Sequence, residues 1–491
     1  MNGNSNSDKS PQCDLLSCKR IHIVGIKGTG TSALAEIFSA HGIVVTGSDI
    51  ADTFYTDTVL KNIGIIPTLF DAANITDDID LVVHSSAYKV DENPELIAAK
   101  KKNIPTLLYT EALGMFSESR FSVAVCGVHG KTTTTGILGT ILKSLNFPSQ
   151  ILAGSAVTGF GGKSTLSIFH EGTDCDPIFL AETCEYQRHF MSFSPNLIIM
   201  TGVESDHQDY FPTYEDIRDA FVDFCSKLPD GGILVFCSDD PGAAEVANIV
   251  AKRRPGIVMI PYGESSSVYR LRYGEIKNGM QSFFVNDTEF AIRIPGKHIA
   301  LDSCGAVALI SQLLKARGVT SDETVNIRRG LADFAGAKRR SEIVAQVAGI
   351  TIIDDYAHHP TAIEKTLAGL KEFYAGRRLI VDFMSHTYSR TAALLYEFAQ
   401  SLKGADILIL HKIYSSAREK PETFTINGET LFQRAKEYRP SPKETLYFEE
   451  ILDASDFLMK ELQPGDVLIT FGAGDNWKLG VEIARRLEVR Q

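Results

Sequence analysis

Residues 126–135 have the residue types of a phosphate-binding loop, because a glycine turn is followed directly by Lys131 and Thr132. An apolar run at 121–125 precedes the turn and apolar residues at helical spacing follow it, which predicts the order strand, turn, helix. Backbone N–H groups at such a turn and the N-terminus of the helix bind phosphate groups. We expect Lys131 to neutralise the β- and γ-phosphates and the Thr132 hydroxyl to hold Mg²⁺. The predicted loop residues are Gly127, Val128, His129, Gly130, Lys131, Thr132 and Thr133.

Acidic side chains and a histidine follow two later apolar runs. Glu182 follows the first run, and Glu204, Asp206 and His207 follow the second. Because the carboxyl ends of parallel strands share one edge of a sheet, these groups are expected to face the phosphate loop. Mg²⁺ is usually held by one or two protein oxygens together with substrate phosphates, which favours Glu182 with Thr132. His207 is a less usual ligand for this ion, and each group alone could equally be a solvated strand end.

A second glycine turn, Gly28-Thr-Gly-Thr-Ser-Ala33, lies near the start of the chain, with Asp49 after the next predicted strand. This spacing matches the fingerprint of dinucleotide-binding turns. One interpretation is therefore an NAD-dependent dehydrogenase. The turn itself requires only a phosphate or diphosphate, and Asp49 could accept a hydrogen bond from a ribose or from a base. His84 and the serines after it end another strand at the same crevice.

The last third of the chain contains a dense polar segment, Asp354-Asp-Tyr-Ala-His-His-Pro360, directly after the apolar run 350–353. Arg390 follows the next predicted strand, and the basic residues around Arg340 are typical of a linker before both. Two adjacent histidines at a strand end are more often structural than catalytic. Here they share the strand end with two aspartates and a tyrosine, which is typical of a site for an anionic substrate or a ribose.

The composition excludes several kinds of partner. The formal net charge of -12 over 491 residues argues against nucleic-acid binding. The eight cysteines show no zinc-ligand spacing. The polar N-terminus lacks the apolar core of a secretory signal, and no apolar run approaches membrane-spanning length. We therefore expect a cytoplasmic protein without a membrane partner.

Alternating strands and helices predict an α/β protein of three domains. The predicted segments are a disordered tail at 1–18, a Rossmann-like domain at 19–118, a central P-loop ATPase-type α/β domain at 119–335 and a Rossmann-like C-terminal domain at 336–491. Within the central domain, residues 295–298 are predicted to form a turn that leads into a helix at 304–317.

Seven motifs, in this order, resemble those of the Mur ligase family, ATP-dependent amino-acid ligases of peptidoglycan synthesis. They lie at 25–30, 47–49, 84–87, 130–135, 206–207, 354–360 and 472–475. The resemblance implies that the chain uses ATP and Mg²⁺ to join L-alanine to the lactyl carboxylate of UDP-N-acetylmuramate through an acyl phosphate. ADP and phosphate would be the other products. It also implies a role in cell wall biogenesis, cell shape and cell division.

Two alternatives stay open. One is a relative that adds a preformed tripeptide to the same sugar nucleotide during wall recycling, and the other is a nucleotide-binding module without catalysis. The chain is expected to act as a monomer or a dimer.

The resemblance also assigns roles to residues of this chain. The UDP-sugar would contact Gly28, Thr29, Gly30, Ser48, Asp49, His84, Ser85, Ser86 and His129. ATP would contact the phosphate loop together with His298, Arg340, Asp354 and Asp355. The acceptor amino acid would contact Tyr356, His358 and Arg390. Thr132, Glu182 and His207 would hold Mg²⁺, and Lys131, His358 and Arg390 would be catalytic.

The chain departs from the family pattern at three of these places. Ile299 and Asp302 stand where the family has asparagines beside the adenine, and Thr387 stands where it has an arginine near Arg390. We hypothesise that Arg188 replaces that arginine.

Overall fold

The computed structural model describes residues 15–490, apart from 53, 55, 170–175, 209, 278, 416–418, 420–422 and 440–443. Three β-sheets follow one another along the chain, with helices between most of their strands. The predicted α/β class with three such units is confirmed. The boundaries between the units stay a prediction.

The first unit is a four-stranded parallel sheet with strand order β2-β1-β3-β4. Its elements are β1 (Arg20–Val24), α1 (Thr29–Ala40), β2 (Val44–Ser48), α2 (Thr56–Asn62), β3 (Leu81–His84), α3 (Pro94–Lys101), β4 (Thr106–Leu108) and α4 (Tyr109–Glu118). The sequence predicted a disordered tail up to residue 18, but Leu15–Ser17 form a 3₁₀ turn and Leu15 and Cys18 are buried in the core beside this sheet. The rest of the tail, residues 1–14, lies outside the described residues.

The central unit is a ten-stranded sheet with strand order β14-β13-β12-β11-β10-β9-β5-β8-β6-β7. Its elements are β5 (Ser122–Cys126), α5 (Lys131–Ser144), β6 (Ser149–Val157), β7 (Lys163–Ile168), β8 (Ile178–Glu182), β9 (Leu197–Met200), α6 (Tyr214–Cys225), β10 (Ile233–Cys237), α7 (Pro241–Arg253), β11 (Val258–Gly263), β12 (Tyr269–Lys277), β13 (Met280–Val285), β14 (Thr288–Ile292), α8 (Lys297–Ala316) and α9 (Thr324–Asp333). Strand β5 lies between β8 and β9, parallel to both, so the segments that follow all three strands meet at one edge.

The third unit is a six-stranded sheet with strand order β15-β16-β20-β17-β18-β19, in which only β15 is antiparallel to its neighbour. Its elements are β15 (Glu342–Val347), β16 (Ile350–Asp355), α10 (Pro360–Phe373), β17 (Leu379–Phe383), α11 (Tyr388–Ala393), α12 (Leu395–Ser401), β18 (Ile407–Leu410), α13 (Gly428–Tyr438), β19 (Thr445–Tyr447), α14 (Ser455–Glu461), β20 (Val467–Phe471) and α15 (Trp477–Val489). The buried strands read as continuous apolar runs because helices cover both faces of a parallel sheet.

Helix α8 corrects two expectations. It begins at Lys297, so residues 297–303, predicted to lie before the helix, form its first turns. It is also long and apolar enough to cross a membrane by length and composition, where the sequence predicted no such run, but 72% of its apolar window is buried inside the protein. That burial is typical of the core helix of a globular domain.

Candidate active site

The phosphate loop takes its shape from two glycines in the left-handed region of backbone space. Gly127 has φ 135° and Gly130 has φ 81°, conformations that residues with a Cβ rarely adopt. A Cβ at Gly127 would also overlap the Thr201 hydroxyl. The loop is tied to the segment after β9, since the Val128 N–H donates to the Gly202 carbonyl at 2.9 Å. The N-terminus of α5 is thereby directed at the open edge of the sheet, as the sequence predicted.

Lys131 is held by an acidic partner that sequence reasoning missed. Its Nζ lies 2.9 Å from Glu185 Oε2 and also donates to the carbonyls of Gly127 and Val128. Burial alone would favour the neutral form of both groups, but their attraction outweighs it, so the pKa of Lys131 is raised and the pKa of Glu185 is lowered. Lys131 is therefore a full positive charge, and a bound phosphate would compete with Glu185 for it.

Two of the three predicted metal ligands lie together. Thr132 Oγ1 donates to Glu182 Oε1 at 3.1 Å, and Glu182 Oε2 accepts from the Gly154 N–H at 2.6 Å. A hydroxyl beside a carboxylate is the oxygen donor set that Mg²⁺ prefers, so these residues fit the ion. His207 faces Glu185 instead, with its Nε2 3.4 Å from Glu185 Oε1.

A cavity of about 330 Å³ collects residues of the central and third sheets. Its lining includes these predicted site residues: Val128, His129, Gly130, Lys131, Thr132, Thr133, Glu182, His207, His298, Arg340, Asp355, Tyr356 and His358. A second cavity, of about 520 Å³, is lined by Thr29 of the first unit, Thr132 and Glu182 of the central unit, and Asp354 and Trp477 of the third. Residues from all three units thus surround Thr132 and Glu182.

His298 and Asp302 lie on the first turns of α8, facing Lys365 of α10 across the cavity. Burial lowers the pKa of His298 to about 4 and raises that of Asp302 to about 8, so both are neutral at pH 7. Asp302 lies beside Gly130: a Cβ at that glycine would be 2.8 Å from Asp302 Oδ1. An ionised Asp302 would repel an anion on the phosphate loop.

The two aspartates at the end of β16 hold the linker that precedes β15. Asp354 accepts from Arg339 at 2.9 Å, while Asp355 accepts from the backbone N–H of Ser341 at 2.7 Å. Burial raises the pKa of both carboxyls. Arg340 lies over the Tyr356 ring, 5.2 Å from its centroid, and lines both cavities.

Arg390 crosses to the central domain, where its Nη2 donates to Asp206 Oδ1 at 2.7 Å. Burial alone would raise the pKa of Asp206. The attraction of the Arg390 guanidinium is stronger than this effect and holds the pKa of that carboxyl far below its ordinary range. His358 is half-buried, and its desolvation, with Arg390 acting in the same direction, lowers its pKa. The ring is therefore neutral, and its Nδ1 lies 2.9 Å from the Tyr356 carbonyl. A neutral ring whose Nδ1–H donates there presents an unprotonated Nε2.

Two of the residues predicted to bind the sugar nucleotide make their hydrogen bonds to other residues of the first unit. Asp49 accepts from the Lys27 N–H at 2.8 Å and from the Tyr88 hydroxyl at 2.9 Å, and so holds the glycine turn in place. The Ser48 hydroxyl donates to the buried Glu95. Within the described part of the chain, these predicted residues line neither cavity: Gly28, Gly30, Ser48, Asp49, His84, Ser85 and Ser86. Gly127 and Arg390 do not line them either.

The hypothesis that Arg188 replaces the arginine missing at Thr387 is not supported by the geometry. Arg188 Nη2 lies 2.6 Å from Asp223 of α6, and Arg188 lines neither cavity. Its backbone is left-handed, with φ 57°, which turns the side chain toward α6. Thr387 instead caps the N-terminus of α11, where its hydroxyl accepts from the Arg390 N–H.

Three family models match the chain in order. They are described as Mur ligase family, catalytic domain (residues 20–121), Mur ligase middle domain (residues 125–310) and Mur ligase, glutamate ligase domain (residues 339–474).

Curated relatives match almost the whole chain. A UDP-N-acetylmuramate–L-alanine ligase of Treponema pallidum (strain Nichols) is 46% identical over 470 residues, which cover 94% of this chain and 95% of that protein. A protein of the same name from Borreliella burgdorferi is 35% identical, with 95% and 98% covered.

Among solved structures, the UDP-N-acetylmuramate-alanine ligase of Thermotoga maritima superposes with a TM-score of 0.76 at 23% identity, covering 96% of this chain and all of the other. A murein peptide ligase of Psychrobacter arcticus gives a TM-score of 0.64 at 22% identity, covering 96% and 98%. These two likenesses show the fold, and the relatives above show the family. The resemblance inferred from the motifs is confirmed: the chain belongs to the Mur ligase family.

Proposed function

We propose that this chain joins L-alanine to the lactyl carboxylate of UDP-N-acetylmuramate, converting ATP to ADP and phosphate. The 46% identity to a ligase of that name over 94% of the chain supports the reaction. The observation that carries the proposal is the shared cavity in which the phosphate loop faces Tyr356 and His358 of another domain. A ligase needs such an arrangement, because it must bring a phosphoryl donor, a carboxylate and an amine together.

The three domains divide the substrates among them. The phosphate loop and α8 would hold ATP, with Lys131 at its terminal phosphates. The glycine turn before α1 would hold the UDP-sugar, and Thr29 would lie nearest the reacting end, since it shares the second cavity with Thr132 and Glu182. Thr132 and Glu182 would hold Mg²⁺, with His207 close by, and the bound ion supplies positive charge to the phosphate oxygens.

The reaction begins when the lactyl carboxylate attacks the γ-phosphorus and the bond to ADP breaks, which gives an acyl phosphate. Carboxylate and phosphate are both anions, so positive groups must lie on both sides of them, and Lys131 of the phosphate loop would be one of these. The alanine amine then attacks the acyl carbon, and phosphate leaves. The amine must lose a proton, and the Nε2 of His358, left unprotonated when Nδ1–H donates to the Tyr356 carbonyl, would accept it.

The substrates place the chain at the start of peptide addition in peptidoglycan precursor synthesis. We assign it to the cytoplasm, with roles in cell wall biogenesis, cell shape and cell division, and acting as a monomer or a dimer.

Phosphate release from ATP and UDP-N-acetylmuramate tests the proposal, with L-alanine, glycine, L-serine and the tripeptide L-Ala-D-Glu-diaminopimelate added separately. We expect release with L-alanine and little with the tripeptide. Release with the tripeptide alone would assign the chain to wall recycling. No release with any acceptor would leave a nucleotide-binding module.

A further inference from the structure

Three side chains that are not among the proposed Mg²⁺ ligands converge where the central and third domains meet. His129 belongs to the phosphate loop, Glu204 follows β9, and His359 directly precedes α10. One ligand atom from each lies within 4.8 Å of the others. His129 Nε2 is 2.6 Å and His359 Nδ1 is 3.9 Å from the same oxygen, Glu204 Oε1.

One imidazole nitrogen in this cluster is buried without a partner, and another faces only a carboxylate. In the described part of the chain, His359 Nδ1 makes no hydrogen bond, and His129 Nε2 lies 2.6 Å from Glu204 Oε1. The His359 side chain is only 8% exposed. Buried polar atoms without partners are rare in folded proteins, and a cation bound between the two rings would satisfy His359 Nδ1.

We propose that His129, Glu204 and His359 form a binding site for a divalent transition-metal ion of the Zn²⁺ class. Two imidazoles and one carboxylate suit Zn²⁺ or Co²⁺, whereas Mg²⁺ prefers oxygen donors. Ligand atoms around a tetrahedral zinc ion are about 3.4 Å apart, given bonds of about 2.0–2.1 Å. The two distances to Glu204 Oε1, 2.6 and 3.9 Å, bracket that spacing, so side-chain rotations can complete the site.

The neighbouring groups agree with this assignment. Burial lowers the pKa of His359, and His129 acts in the same direction, so the ring is neutral, as a metal ligand must be. Burial opposes the charge on Glu204, but its contacts with His129 outweigh it and lower the pKa of that carboxyl. The other carboxylate oxygen, Glu204 Oε2, accepts from the Thr361 hydroxyl at 3.2 Å and so orients the carboxylate. His129 and Glu204 line the cavity of about 330 Å³, which gives an ion a path to the site.

An ion at this position would link the phosphate loop to the start of α10, and so join two domains. It would be distinct from the Thr132 and Glu182 oxygen pair, because its ligands are different residues of different chemistry. Ions that bind only the folded state also stabilise it.

Titration of the full chain with CoCl₂, followed by visible absorption, tests the site directly. We expect one Co²⁺ with the intense bands of four- or five-coordinate cobalt, present even in excess Mg²⁺. Glu204→Gln and His359→Gln should each weaken Co²⁺ binding by at least about tenfold, since even residues that only support a ligand are worth that much. The matched controls, Glu182→Gln in the oxygen pair and His41→Gln in the first domain, should bind Co²⁺ as the wild type does.

A thermal unfolding measurement keeps the test independent of activity. ZnCl₂ should raise the unfolding midpoint of the wild type and of His41→Gln, but not that of His359→Gln. If His359→Gln fails to fold, Glu204→Gln decides in its place. The proposal is overturned if the cobalt bands are absent, or if Glu182→Gln removes them while Glu204→Gln keeps them.

Discussion

The substitution Glu185→Gln tests how the free protein keeps Lys131 ready for a nucleotide. The two side chains are 13% and 3% exposed and lie 2.9 Å apart, so their ion pair is buried. Glutamine keeps the volume of the glutamate and removes its charge. Losing one partner of a buried ion pair costs about 3–5 kcal/mol. Because two backbone carbonyls still accept from Lys131 Nζ, we expect a loss near the lower end, about 3 kcal/mol.

This cost falls mainly on the free protein, since the phosphates of a bound nucleotide supply the negative charge that the variant lacks. If bound ADP restores even half of the lost stability, about 1.4 kcal/mol, it binds about tenfold more tightly to the variant than to the wild type. We therefore expect Glu185→Gln to lower the stability of the free protein and, at the same time, to strengthen ADP binding by about tenfold or more. Stability and affinity thus move in opposite directions.

Isothermal titration calorimetry gives the ADP affinity, and thermal unfolding gives the stability. Glu245→Gln is the matched control, because Glu245 is 42% exposed and pairs with Arg218 on the surface. Exposed ion pairs contribute at most about 1 kcal/mol, so this variant should change neither quantity appreciably. If Glu185→Gln is destabilised but binds ADP as the wild type does, or more weakly, then Glu185 does not compete with phosphate for Lys131 and the reasoning is refuted.

Four further predictions concern residues that line the two cavities. Lys131→Ala should lower kcat about 10³-fold or more, which is the size of effect seen when the transition state loses a main charge partner. A variant that stays within tenfold of the wild type in a phosphate-release assay would exclude that role for Lys131. Asp302 has a pKa of about 8, so a negative charge forms beside Gly130 as the pH rises through 8, and we expect ADP to bind more weakly there. In calorimetry at pH 7 and 9, Asp302→Asn should abolish this dependence. Between pH 3.8, the ordinary pKa, and about pH 8, Asp302 keeps its proton in the folded protein but loses it on unfolding. The free energy of unfolding therefore falls as the pH rises over that range. Asp302→Asn should flatten the corresponding change in the unfolding midpoint. Trp477, the only tryptophan, lines the second cavity, so UDP-N-acetylmuramate should change the protein's fluorescence more than ADP does, and equal changes would place the sugar nucleotide elsewhere.

Local sequence patterns were sufficient to predict the residues that follow strands. The phosphate loop, Glu182, and Asp354 with Asp355 all lie directly after apolar runs that form buried strands. Their position at the sheet edge then follows from parallel strand geometry. The start of α8 was missed because Pro295-Gly296 is typical of a turn, although Gly296, with φ 124°, immediately precedes the first helical residue.

Contacts between residues far apart in the chain were beyond those patterns. Glu185 lies in an irregular turn three residues after β8, and its role depends on Lys131, 54 residues earlier. Asp206 and Arg390 are 184 residues apart and belong to different domains. Periodicity identifies the element on which such a residue lies, but not the neighbour that the tertiary fold brings to it.

The segment 201–207 after β9 explains how the nucleotide site and the acceptor side of the cavity can be coupled. Its first residues touch the phosphate loop, since Thr201 donates to the His129 carbonyl and Gly202 accepts from the Val128 N–H. Its later residues touch the third domain, where Glu204 accepts from Thr361 and Asp206 pairs with Arg390. If nucleotide binding moves the loop, the shift would therefore reach the groups expected to meet the amino acid through a few residues of one chain segment. The reaction needs the acyl phosphate formed before the amine attacks, and this segment is the part of the chain that contacts both half-sites.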